Sequence, residues 1–220
     1  TRGAPAPSYY HVLCTGIDGT GIPSGTLIAS DTNPATQLVI SEQKEITRSS
    51  FNKAAVKVTS TQLSGVFTVA LNGNPYSITP TGTPTTTDVL KALSAAINDD
   101  AFLVSVDEEA ALLRIEAVDE ASANVLLLSE NLTTDTVGSV ITFATEEAGD
   151  ILLPNGIITK IVKAVPGLQS VVNVGSYIAG QLTETDTEFR QSYADKIFSM
   201  SSRMLESIRS AILDNCQGVT

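Results

Sequence analysis

Any catalytic reading of this chain starts from one histidine, because His11 is the only imidazole among 220 residues. A Ser-His-Asp arrangement would have to be built on it, with the ring taking the serine proton and an acid holding the ring in place. No G-x-S-x-G elbow accompanies it. A lone histidine in a strand-like run reads as a surface or packing residue. The two cysteines, Cys14 and Cys216, sit near opposite ends without C-x-x-C spacing, so neither a zinc site nor a dithiol pair is indicated. Two thiols cannot staple a chain of this size. Both are expected to be free and partly buried, in a protein made in a reducing cytosol. There is no H-E-x-x-H and no D-x-[DN]-x-[DN]-G calcium loop. Glycoside hydrolysis needs two carboxylates flanking a sugar-sized cleft. The pairs Glu108/Glu109 and Glu146/Glu147 lie instead in hydrophilic, turn-like runs, and no Trp offers a sugar platform. Gly19, Gly21 and Gly25 miss the G-x-G-x-x-G spacing, and no P-loop lysine follows. The expectation is a non-enzyme with no cofactor, no metal and no small-molecule substrate.

Charge sharpens that reading. The net charge of −11 gives no basic footprint for phosphate, so nucleic acid is not an expected partner. From Asp99 to Asp150 there are thirteen acids and one base, Arg114, a local balance of −12 that leaves +1 for the remainder. The middle and the flanks therefore read as different domains. The longest apolar runs, such as 125–128 and 161–165, are too short to cross a bilayer, so no membrane insertion is expected. The first ten residues contain no apolar signal core. Without an initiating Met, and ending at Thr220, the chain reads as a fragment of a longer protein.

The elements that would position these residues follow from periodicity. Residues 1–60 read as strands separated by turns, with Pro23-Ser24-Gly25 as turn chemistry. Residues 66–71 alternate, Asn72-Gly73 is a hairpin signal, and 75–79 return. Val89, Leu90, Leu93 and Ile97 give one apolar helix face after Thr87-Asp88. Strands follow at 102–106, 112–117, 124–129 and 138–144. The last third predicts strands across 149–163 and at 171–174, then a linker over 175–180. A helical stretch from 183 to about 215 follows. Thr185 and Glu188 fit a capping box. The run Ser199-Met200-Ser201-Ser202 predicts a break there, and hence two amphipathic helices.

Three stretches in this order resemble the baseplate J-like family of contractile-tailed phages and tailocins. The first is GIDGTGIPSGTLI from Gly16 to Ile28, similar to the family's strand-turn-strand. The second joins GIITKI from Gly156 to VPGLQSVVN, which ends at Asn173. The third is GQLTETDTEFR from Gly180 to Arg190, followed by helix and then CQGV, which ends at Val219. The likeness covers roughly residues 3–60 and 145–220. Leu182 stands where the family usually has an acid, and Ser192 replaces its second arginine.

The fold class expected is α+β: a strand-rich scaffold from 1–60 and 143–220, a small acidic α+β domain inserted at 61–142, and two C-terminal amphipathic helices. The resemblance implies a baseplate wedge protein of the virion tail, assembled in the bacterial cytoplasm. It would hold other wedge proteins, or copies of itself, around the hub and transmit the contraction signal. The surface expected to do this comprises Phe189, Arg190, Tyr193 and Ile197 on one helix, and Met204, Leu205, Ile208 and Ile212 on the next. The alternative is a surface-exposed decoration module, with the inserted domain contacting a host surface or a neighbouring tail protein.

Overall fold

The computed structural model describes residues 4–183 and 185–215, without the side chains of 189, 192, 202 and 208–215. In chain order the elements are β1 (Pro7–Gly16), β2 (Thr20–Ile22), β3 (Leu27–Ser30), β4 (Gln37–Val39), β5 (Lys44–Ile46) and β6 (Lys53–Val58). Then come β7 (Phe67–Leu71), β8 (Asn74–Ile78), α1 (Thr86–Ala96), β9 (Phe102–Asp107), β10 (Leu112–Ala117) and β11 (Leu126–Leu128). The last are β12 (Leu132–Ala148), β13 (Ile158–Ile161), β14 (Leu168–Asn173) and α2 (Asp186–Asn215).

Local chemistry explains the hairpin and the first helix. Asn72 and Gly73 both take positive φ, 51° and 86°, as a tight two-residue turn requires. The turn brings Leu71 opposite Asn74 and joins β7 to β8. Thr85, rather than Thr87, caps α1: its hydroxyl accepts from the Asp88 amide while Asp88 accepts from the Thr85 amide at 2.9 Å. Val89, Leu90 and Leu93 are buried as the periodicity demands.

Long-range pairing is organised by β12. One edge of this seventeen-residue strand runs antiparallel to β1 from Val137 to Ala148. Its other edge pairs β6 over 132–138 and β4 at Ala144 and Thr145. Val137, Ser139, Ile141, Phe143 and Thr145 alternate into the interior, the period of two that a half-buried strand needs. The resulting sheet has nine strands, in the order β13-β3-β4-β12-β6-β10-β9, with β1 paired to β12 off this path and β14 paired to β1.

This arrangement departs from the expected inserted domain. The boundary at 142/143 falls inside β12, and β10 and β9 continue the same sheet outward from β6. Phe51, before β6, stacks on Phe102 of β9 with ring centroids 5.9 Å apart. Phe51 and Asn124 exchange backbone hydrogen bonds, both 2.8 Å. The side-chain Nδ2 of the buried Asn52 donates to the carbonyls of Asp119 and Ser122 at 2.9 and 3.1 Å. Of the middle, only β7, β8 and β11 form a sheet of their own. One core runs from Val12 and Phe143 through Phe51 to Leu90 and Leu93. The acidic composition of 99–150 thus marks solvent-facing positions, not a chain boundary.

The C-terminal expectation is also corrected. α2 is one helix of thirty residues, unbroken at Ser199–Ser202. No Gly or Pro occurs between 186 and 215, and interior serines cost only about half a kcal/mol each relative to Ala. The strand expected over 149–163 is confined to β13.

Phe51→Ala is expected to cost about 3–5 kcal/mol and to leave a single urea transition. Separate transitions for 61–142 and the flanks would show two units instead of one core.

Candidate interaction surface

The root of α2 is fixed before the helix begins. Ala6 pairs with Gln181, and Tyr9 pairs with Ile178 through hydrogen bonds of 2.9 Å in both directions. Ser8 is fully buried; its hydroxyl donates to Gly149 O at 2.9 Å and accepts from the Ile151 and Gly180 amides at 3.0 and 3.1 Å. Tyr177 stacks on Tyr10 with centroids 5.3 Å apart, and its hydroxyl donates to Asp150 at 2.8 Å. Burial, opposed by the Leu153 amide that donates to its oxygen, pushes the Tyr10 phenol above its ordinary range. At Tyr177 the hydrogen bond to the Asp150 carboxylate does the same. The stretch expected as a linker is therefore strapped along β1.

The capping box expected at Thr185 is present. The Thr185 amide and hydroxyl donate to Glu188 Oε2 at 2.9 and 2.8 Å, and the Glu188 amide donates to Thr185 Oγ1 at 3.3 Å. These bonds favour the ionised acid and hold its pKa below the usual glutamate range, the backbone donor first.

Beyond that cap, each described side chain of α2 is exposed. Thirty residues at about 1.5 Å each make a rod of about 45 Å. At about 100° per residue, Tyr193, Ile197, Met200 and Met204 lie along one narrow stripe. They are 59%, 48%, 65% and 67% exposed. Phe198 and Leu205, seven apart, form a second exposed line roughly a third of the way round the helix from it. Of the residues expected at this surface, Arg190, Tyr193, Ile197, Met204 and Leu205 are exposed on the one helix, with Arg190 at the stripe's margin. Met200 and Phe198 were missed: Met200 fell in the expected break, although the spacing 193, 197, 200, 204 is itself the helical signal. The side chains of Phe189, Ile208 and Ile212 lie outside the described residues.

The other chemical candidates fall elsewhere. His11 is half-buried on β1, its Nδ1 3.4 Å from Thr142 Oγ1. Glu108 pairs with Lys91 at 2.9 Å. Cys14 is buried and desolvation pushes its thiol up to about 12, which keeps it neutral and a poor nucleophile. Cys216 lies outside the described residues. Among the described residues no three His, Cys, Asp or Glu side chains converge as a metal site, and no helix is long and apolar enough to cross a membrane.

No family model and no curated protein matches the chain. The resemblance to baseplate J-like proteins therefore stands on its three motif stretches. Two of them meet in space: Gly16 lies opposite Leu168, and Ile161 opposite Ile28. A Cβ at Gly16 would sit 2.2 Å from Gly167 O, so only glycine allows that approach. The third stretch packs at the far end of β1, where Gln181 meets Ala6.

Because the Glu188 carboxyl has a depressed pKa when folded, its contribution is complete at neutral pH and is lost as pH falls through that folded value. Thr185→Ala is expected to cost the helix about 1 kcal/mol. Acid should fray the first turn in the parent chain, read from the Glu188 amide by NMR. In Glu188→Gln that response to pH should disappear.

Proposed function

We propose that this chain is a structural component of a contractile-tail baseplate, a wedge protein that holds partner subunits through α2. The observation that carries the reading is a fixed, capped, 30-residue helix whose apolar stripe is left in solvent. An exposed face of this kind marks an interaction surface, and a helix read at i, i+4, i+7 spacing suits a groove or a helix bundle. The root strapped to β1 supports transmission of a pull on α2 into the sheet.

Basic side chains border the stripe on both sides. Lys196 and Arg203, seven apart, border one side of the stripe, and Arg190 lies on the other. The expected partner helix carries Asp or Glu at its margins. In this reading the protein resides in the virion baseplate after assembly in the bacterial cytoplasm, and performs no catalysis.

A second reading keeps the decoration role, supported by Val66, Val125 and Leu127, which are exposed on and around the small β11-β7-β8 sheet.

The test is co-expression of Ile197→Asp/Met204→Asp with the baseplate proteins of the same tail. Binding should weaken at least tenfold, about 1.4 kcal/mol, while the sheet's circular dichroism stays unchanged. Normal assembly by a folded double variant would eliminate the α2 role. A parallel Val125→Asp/Leu127→Asp variant that assembles but fails to infect would establish the second reading.

A further inference from the structure

The edge of β12 that faces β4 and β6 has an interruption in it. Pairing with β6 ends at Gly138, and pairing with β4 begins at Ala144. Along the opposite edge the ladder with β1 runs through the same stretch. Among the described residues, no strand pairs with 139–143 on the interrupted side. The span from Gly138 to Ala144 is about 20 Å at roughly 3.4 Å per residue.

The direction of the backbone groups follows from alternation. Gly138 O accepts from the Asn52 amide on the β6 side, so the even-numbered residues turn their N–H and C=O groups that way. Val140 and Thr142 therefore present both groups into the gap, while Ile141 and Phe143 spend theirs on β1. The gap opens into a groove of about 540 Å³ walled by Ile40, Ser50, Tyr9 and the β12 backbone itself. Its rim charges are Glu42, Lys44 and Glu45, and Lys44 is already 3.2 Å from Glu42. That rim suits neither a phosphate nor a strongly cationic ligand. The chain between the two flanking strands is held away by other bonds: Thr47 bonds to Ser139 Oγ through both its amide and its carbonyl, and β5 is committed to β2.

We propose that this gap receives a short extended segment of another polypeptide, uncharged and rich in β-branched residues, added antiparallel to β12 between β4 and β6. Strand addition satisfies the Val140 and Thr142 groups in the way the neighbouring strands satisfy theirs. The short ladder makes the contact weak by itself, suited to the many copies of an assembly in which linked weak contacts combine. The inference does not depend on α2 or on the baseplate assignment.

The test uses the whole 15N-labelled chain and the peptide Ac-Val-Thr-Val-Thr-NH2, followed through amide resonances. The expected result is a saturable downfield shift at Val140 and Thr142, absent at Ile141 and Phe143. It should be lost with the same peptide N-methylated at alternate residues on its pairing edge. Three outcomes overturn the proposal. In the free protein the Val140 and Thr142 amides could already exchange as slowly as their neighbours. The peptide could leave both amides unshifted up to its solubility limit, or the N-methylated peptide could shift them equally.

Discussion

Everything else in this structure depends on β12 being shared. One strand of seventeen residues supplies the partner for β1 on one edge and for β4 and β6 on the other. Because side chains on a strand alternate strictly, a slip of one residue would turn Ile141 and Phe143 to solvent and bring Thr142 inward. Both edges must therefore keep their register together. The bulge between Thr134 and Thr136 lets β12 follow β6 and still reach β1 further along. Gly138 permits the closeness this demands, since a Cβ there would meet Leu13 Cδ1 at 3.0 Å.

The consequence reaches α2 through β1. The strand that pairs β12 from Val137 onward, with Ala6 just before it, also binds the chain entering the helix through Ala6, Ser8, Tyr9 and Tyr10. A helix that packed on the sheet would need no such root. One whose described side chains all face water has to be held at its base if its direction is to mean anything to a partner. The Thr185–Glu188 cap completes the first turn, whose described side chains are exposed.

Locally determined features were legible in the sequence. The Asn72-Gly73 hairpin, the apolar face of α1 and the Thr185 capping box are each set by residues within a few positions, and each formed as expected. Features decided at long range were not. Arg114 pairs across from Ala55, and Val140 from Leu13, through registers that no window of neighbouring residues encodes. The acidic middle suggested a separate domain because charge was counted along the chain, whereas the sheet distributes it by face. The serine run at 199–202 suggested a break because serine caps helices well. Inside a stretch with no Gly or Pro, its small propensity deficit does not stop one. The α2 stripe was half visible, and the expected break concealed the continuity that Met200 provides.

Native-state hydrogen exchange tests the central claim most directly, since it reads the opening free energy of each segment in one experiment. The account predicts that β1, β6, β10 and β12 open together at the global stability, while amides of α2 exchange far faster. Opening of 102–117 well below the energy of 10–16, or an α2 protected as strongly as the sheet, would contradict it.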